Sequence, residues 1–403
     1  MFGALRSPRN IVFGNGQRAA LPGYVAALGK SVLVVTDARL ESEPSVRALL
    51  ADLAAAGSKV AVFAGVEAEL PAECIHAGVK KAQEAGAEVI VGLGGGSCMD
   101  AAKVIALLCA HGGAISDYYG EFKVPGRVLP LVAVPTTAGT GSEATPVAVV
   151  ADPDRAVKVG ISSPYLIPDT AICDPELTLT CPAGLTAVSG ADALVHAIEA
   201  FTTAVRPPTP GMTHEHVFVG KNALTDSHAL AAIGNIGRGL VAAVRDGSDI
   251  EARSAVMLGA LQAGLAFGSA GTSVCHAVQY PVGAVTHTAH GVGVALMLPY
   301  ALEFNREVVE AEIATIGRVL GFAGEGDDDA AAADAGIAGI AGMLRQIDIP
   351  RSLADIGVKP DDLPWIAEQA LAANRLIKNN PRPIDRAGLD LLLRAAYDGT
   401  LAH

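Results

Sequence analysis

Between Ser31 and Gly141, apolar β-branched runs alternate with helical runs, and this alternation restricts the fold more than any other feature of the chain. SVLVVTD (31–37) has the composition of a buried strand, EPSVRALLADLAAAG (43–57) the period of an amphipathic helix ended by glycine, and KVAVFAGV (59–66) that of a second strand. AECIHAGVKKAQEAG (72–86) reads as helix, AEVIVGLGGG (87–96) as a strand running into a loop, MDAAKVIALLCAHGG (99–113) as helix and VLPLVAVPTT (128–137) as strand. Repetition of strand and helix with such short connections implies a parallel sheet covered by helices on both faces.

After Pro182 the strand signals nearly vanish. Ala/Leu-rich runs at 184–204, 223–245, 249–268, 290–302, 307–321, 328–347, 361–375 and 383–397 read as helices instead. The expected fold class is therefore α/β plus all-α, with an α/β domain over residues 1–183 and a helical domain over 184–403. Residues 206–222, with three prolines and no helical period, are expected to form an extended surface excursion. The acidic stretch 324–336 reads as a solvated loop feeding an Ala-rich helix.

A hydrophobic content of 51% with only 4% aromatics means the core is built from Ala, Val, Leu and Ile. The net charge of −13 argues against nucleic acid or an anionic membrane as a partner. The six cysteines are scattered without CxxC pairing, which suggests neither a disulfide framework nor a closed zinc site. No stretch approaches the roughly 20 apolar residues of a membrane span, and the N-terminus lacks a signal-like apolar core, so a cytoplasmic protein is expected.

Candidate chemistry starts at GADALVHAIEAF (190–201), where Asp192 and His196 stand four residues apart and stack on one face of a helix. Alone, such a pair is more often a surface charge feature. The helix has no Lys or Arg between Leu185 and Thr203, however, and buried carboxylates need a partner. The stretch SVCHAVQYPVGAVTHTAHGVG adds His276, which alone would pass as a core histidine, and His290. Three histidines and a carboxylate suit iron or zinc far better than magnesium or calcium.

Two loops at strand ends are candidates for a cofactor. Gly92-Leu-Gly-Gly-Gly-Ser97 follows a strand and opens a helix, where backbone N–H groups and the helix dipole can hold a pyrophosphate. Ser97 with Asp100 is also a plausible capping box for that helix. Pro135-Thr-Thr-Ala-Gly-Thr-Gly-Ser-Glu143 is unusually dense in hydroxyls and glycines, and ligands in open α/β sheets sit beyond the carboxyl ends of the strands. Asp37 can bond a ribose hydroxyl and repel a 2′-phosphate, or simply cap the helix at 43.

Taken together, GGGSCMDAAK (94–103), PTTAGTGSE (135–143), DPELTLTCPAGLTAVSGADALVHAIEAF (174–201), the two-histidine stretch 276–290 and NPRP (380–383) resemble the iron-containing alcohol dehydrogenase family. The resemblance implies a dehydroquinate-synthase-like fold, with a nucleotide-binding α/β domain, a helical domain and an active site in the cleft between them. It places Asp192, His196, His276 and His290 on the metal-ligand positions, for Fe2+ or Zn2+. It places Gly95, Gly96, Ser97, Thr136, Thr137, Thr140 and Ser142 on positions that contact NAD(H), with NADP(H) still open. Asp37, Gly94 and Asp100 join them as candidates.

Lys158 matches a lysine that the family turns toward the cleft, and it is a candidate catalytic residue with Tyr280 and His287. Tyr280 occupies a position where many members carry a histidine facing the nicotinamide. With the excursion at 206–222, this looks more like the hydroxyacid–oxoacid transhydrogenase branch. The implied activity is metal-dependent hydride transfer between a nicotinamide and a small alcohol or hydroxyacid, by a homodimer. Lys158, Arg206 and Lys221 are the candidate cations for a carboxylate-bearing substrate such as 4-hydroxybutyrate. A dehydroquinate-synthase-type cyclase would need more Lys and Arg in these segments, and a non-catalytic nucleotide-binding protein would not need the four ligand positions.

Overall fold

The computed structural model describes residues 1–152 and 158–401. The chain forms two compact units, one made of Arg6–Cys181 with His214–Val217, the other of Met1–Leu5, Pro182–Thr213 and Phe218–His403. A single cut after residue 183 is therefore too simple. The first residues join the helical unit because Phe2 accepts from Ala223 N–H at 3.1 Å and Ala4 N–H donates to Asn222 Oδ1 at 3.1 Å. Residues 214–217 join the other unit, where Val217 N–H donates to Glu121 Oε2 at 2.7 Å.

The α/β unit contains strands β1 (Asn10–Phe13), β2 (Ser31–Val35), β3 (Lys59–Phe63), β4 (Val89–Gly94), β5 (Gly120–Glu121), β6 (Leu131–Pro135), β7 (Val147–Val150), β8 (Val159–Ser162) and β9 (Thr170–Cys173). Its helices are α1 (Leu21–Leu28), α2 (Ala38–Ser42), α3 (Pro44–Ala55), α4 (Ala72–Ala85) and α5 (Gly96–His111). Six strands make a parallel sheet in the order β1-β9-β6-β4-β2-β3, and β5-β8-β7 form a small second sheet.

Successive strand residues point to opposite faces, so the apolar runs feed two cores. Leu33, Val35 and Ile90 pack with residues of α4 and α5, whereas Val32, Val34, Val89 and Val91 pack with residues of α1 and α3. From β2 the chain moves outward to β3 and then returns to β4 on the other side, so the order reverses between β2 and β4. Ligands of open α/β sheets bind at such a switch point. The β4–β6 register sets Gly94 opposite Pro135, and the two candidate loops leave the sheet side by side.

The remaining helices are α6 (Ala183–Thr202), α7 (Met212–Glu215), α8 (Ala223–Arg245), α9 (Ile250–Ala270), α10 (Val274–Thr286), α11 (His290–Val319), α12 (Asp329–Gln346), α13 (Leu363–Ala372), α14 (Asn374–Asn379) and α15 (Arg386–Asp398), all but α7 lying wholly in the helical unit. From Gly190 to Thr202 every residue of α6 is buried, among α8, α9 and α11. A helix that is apolar all round is a core helix. The runs 290–302 and 307–321 are not separated by a loop, and the helical stretch that holds them is broken by a kink at the non-helical Val309. Among the described residues no single helix is long and apolar enough to cross a membrane.

The segment 206–222 is a surface excursion only in part: residues 207–210 and 214–216 are exposed, but its C-terminal end is not. Val217, Phe218 and Val219 are buried, and Val219 N–H donates to Ser269 O at 2.8 Å. Arg206 Nη1 donates to Phe218 O at 3.2 Å, which fastens the segment's two ends. The prolines rule out a long helix here, but they carry no information about burial.

Candidate functional site

Asp192 and His196 lie one turn apart on α6, with His276 in the first turn of α10 and His290 as the first residue of α11. One ligand atom from each of Asp192, His276 and His290 falls within 4.8 Å of the other two. The Nε2 atoms of His276 and His290 are each 3.9 Å from Asp192 Oδ1, too long for a hydrogen bond. Asp192 Oδ1 and His276 Nε2 are buried and have no hydrogen-bond partner among the described residues. Buried polar atoms are rarely left so, and two facing donor atoms in this state fit a cation between them.

His196 stands beside this trio rather than in it. Its Nε2 is 3.7 Å from Asp192 Oδ1, and its ring is stacked on Phe267 at 4.1 Å and on His276 at 4.7 Å between centroids. His290 has a side chain 34% exposed where Asp192 and His276 are nearly sealed, so the cluster is accessible from the His290 side. A catalytic metal site needs such an accessible position. Tyr280 packs near His290, with ring centroids 5.9 Å apart. His287 is exposed and forms the left-handed end of α10, at φ 56°.

Behind His276 lies Glu199, one turn further along α6 and absent from the expected site. Its Oε2 is 2.6 Å from His276 Nδ1 and accepts Ser273 N–H at 3.0 Å, and its Oε1 accepts Ser273 Oγ at 2.9 Å and Cys275 N–H at 2.8 Å. Burial pushes the Glu199 carboxyl up, but His276 and these donors outweigh it and hold the group below its ordinary value. Asp192 goes the other way. Burial raises it, helped by Glu199 and opposed by His290 and His276.

In the α/β unit, Gly94 has φ 150°, and a Cβ there would fall 2.6 Å from Cys98 Sγ. A Cβ on Gly96 would fall 2.6 Å from Thr140 Cγ2, so the glycines let the two loops close on one another. Thr136 N–H donates to Gly94 O at 2.9 Å, while Thr136 Oγ1 is buried without a partner among the described residues. The same is true of Thr36 Oγ1 at the end of β2, a residue that nothing in the sequence singles out. Two unsatisfied hydroxyls therefore flank the glycine loop. Thr137 lies against Gly95, and Thr140 Oγ1 accepts Ser142 N–H at 3.3 Å.

The capping box expected from Ser97 and Asp100 is not formed. Gly95 is the N-cap of α5, and Asp100 accepts instead from Ser142 Oγ at 2.6 Å and Val149 N–H at 3.0 Å. Ser97 falls within the first turn of the helix, too late to cap it. Asp37 does cap a helix, but the short α2 rather than the one starting at Pro44. Its Oδ1 accepts Leu40 N–H at 2.8 Å, and its Oδ2 lies 3.9 Å from Cys98 Sγ across the switch point.

Beneath these loops Lys103 is fully buried, and its Nζ donates to Val147 O at 2.7 Å, Thr145 O at 3.0 Å and Thr145 Oγ1 at 3.3 Å. Burial brings Lys103 down to about 8 and takes the nearby Glu143 up to about 7, with Lys103 pulling the latter back. Of the cations considered for a carboxylate substrate, Lys158 pairs with Glu69 at 2.6 Å. Lys221 Nζ donates to Phe201 O at 2.7 Å and pairs with Asp226 at 3.0 Å, and Arg206 holds Phe218 O and Asn379 Oδ1.

Comparison with known proteins identifies the family of the chain. Residues 8–175 match the family described as iron-containing alcohol dehydrogenase, and residues 186–397 match its C-terminal part. The NAD-dependent methanol dehydrogenase of Bacillus methanolicus is 35% identical over 376 residues, 93% of this chain and 94% of its own length. The crystal structure of a 1,3-propanediol oxidoreductase superimposes with a TM-score of 0.91 at 33% identity, covering 98% of this chain and 100% of the other. That of sulfoacetaldehyde reductase from Bifidobacterium kashiwanohense, in complex with NAD+, gives 0.84 at 28% identity and covers 98% and 99%.

Proposed function

Because this chain belongs to the iron-containing alcohol dehydrogenase family, we propose that it moves hydride between NAD and the carbinol carbon of a small, uncharged alcohol, in either direction. The observation that carries the reading is the approach of Asp192, His276 and His290 to within 4.8 Å of one another, with two of the donor atoms buried and unsatisfied. His196, beside the same carboxylate oxygen, completes the proposed ligand set. A divalent iron or zinc bound there supplies Lewis-acid polarisation, the effect that lowers the pKa of water from about 15.7 to about 7.

The chain's own residues do the rest. Gly94 to Ser97 and the first N–H groups of α5 form the proposed cradle for the pyrophosphate, and Thr136 with Thr36 offers hydroxyls beside it. Asp37 at the switch point favours a ribose 2′-hydroxyl over a 2′-phosphate, and so NAD over NADP. Tyr280, packed near His290, is better placed than the exposed His287 to carry the proton. The engaged cations favour an uncharged substrate over a hydroxyacid. A homodimer is proposed on the family resemblance.

Anaerobically purified protein supplied with Fe2+ should oxidise NADH against a panel of short aldehydes. Absence of turnover with every aldehyde and with both Fe2+ and Zn2+ would reject the proposal.

A further inference from the structure

Each oxygen of Glu199 accepts from one backbone N–H, Oε2 from Ser273 and Oε1 from Cys275. Its two oxygens accept from Ser273 N–H at 3.0 Å, Ser273 Oγ at 2.9 Å and Cys275 N–H at 2.8 Å, and the remaining contact is His276 Nδ1 at 2.6 Å. An ionised carboxylate offers about four lone-pair sites and no proton, so it meets such a set completely. A glutamine, whichever way its amide is turned, would set its NH2 against one of the two backbone N–H groups. With Glu199 ionised, the proton shared with His276 sits on Nδ1, and Nε2 is left with a bare lone pair.

That Nε2 is the buried, unpartnered atom facing Asp192 Oδ1 at 3.9 Å. One side of the ring thus decides the chemistry of the other. Ser273, the N-cap of α10, makes no side-chain cap of its own, and its backbone N–H and that of Cys275 are taken up by Glu199 from α6. Asp192, His196 and Glu199 occupy positions i, i+4 and i+7 of that helix, a single face. α6 therefore presents a ligand at one end of the face and, at the other, the group that holds a ligand from α10 in place.

We propose that Glu199 is the positioning residue of the metal centre. It fixes the tautomer and ring orientation of His276, and thereby sets how tightly the site holds a divalent cation. The inference rests on the proposed ligand role of His276 and deepens it. Carboxylate partners of metal-bound histidines commonly govern affinity by 10- to 100-fold.

The test uses full-length protein, stripped of metal and titrated with Zn2+ against a competing chelator. Glu199→Gln should weaken Zn2+ binding roughly 10- to 100-fold. Asp249→Ala, which removes the cap of α9 at the end remote from Phe267, serves as a stability control and should lower the thermal midpoint with Zn2+ affinity unchanged. In parallel, [15N]histidine NMR of the metal-free wild type should show His276 as the Nδ1–H tautomer, and Glu199→Gln should move it to Nε2–H.

Unchanged Zn2+ affinity in Glu199→Gln overturns the proposal, as does an equal loss in Asp249→Ala. If Glu199→Gln does not fold, the wild-type tautomer still decides, and an Nε2–H ring in the metal-free protein overturns it. If His276→Ala binds Zn2+ like the wild type, the ligand assignment fails instead, while the wild-type tautomer still tests the role of Glu199 separately.

Discussion

Ser142 donates its hydroxyl proton to Asp100 Oδ1 across 2.6 Å, and this bond ties the hydroxyl-rich loop to the helix that the glycine loop opens. Asp100 also accepts Val149 N–H at 3.0 Å, so one carboxylate on α5 holds both the loop and β7. The geometry of the proposed nucleotide site is set from below by residues that need not touch the nucleotide.

Ser142→Ala leaves one oxygen of a nearly buried carboxylate short of a partner. Such a group costs about 1–3 kcal/mol. If the loop loosens to satisfy it, the NAD+ dissociation constant should rise roughly 5- to 100-fold, at about 1.4 kcal/mol per factor of ten. Calorimetric titration with NAD+ checks this, and an unchanged dissociation constant would show that the loop holds its shape without the bond.

Glu143 gives the protein a pH-dependent stability of definite sign. Its folded pKa is about 7 against an ordinary 4.5, so the folded state binds the proton more tightly than the unfolded one. Stability from this group is whole below about pH 4.5, falls as pH rises toward 7 and levels off above it. The difference corresponds to roughly 3 kcal/mol for a fully buried group, at about 1.36 kcal/mol per unit. Glu143→Gln should match the wild type near pH 4.5 and exceed it in stability at about pH 8. Urea unfolding at both pH values measures it, and parallel pH profiles would contradict the assignment.

Substrate charge offers a third test. Lys221 and Arg206 are already committed to protein acceptors, and Lys158 is paired with Glu69. The ratio kcat/KM for 1-butanol should exceed that for 4-hydroxybutyrate by at least about tenfold, the worth of one unpaired charge-assisted hydrogen bond. A preference for the acid would mean that one of these cations changes partner when substrate binds.

The strands and most helices are legible in the sequence because local periodicity determines them. β2, β4 and β6 announce themselves as unbroken apolar runs, and α8 as a long Ala/Leu-rich run. β1 and β9 are not, since four-residue strands carry too little pattern to stand out. Asp192, His196, His276 and His290 are legible as donor types. Glu199 reads only as a carboxylate lacking a local cation, because its partners lie more than seventy residues away on α10. Lys103 reads as an ordinary helical lysine, and only the packing of β7 against α5 shows it buried. The Ser97–Asp100 capping box fails for a local reason, the helix starting too early for Ser97 to cap it.

Hydride transfer as proposed depends on one divalent cation held by Asp192, His196, His276 and His290. Metal analysis of anaerobically purified wild type and His276→Ala, alongside NADH oxidation with a short aldehyde, tests this most directly. About one iron or zinc per wild-type chain is expected. His276→Ala should lose most of that metal, and turnover with it. A His276→Ala protein that keeps both its metal and its activity would contradict the proposed centre.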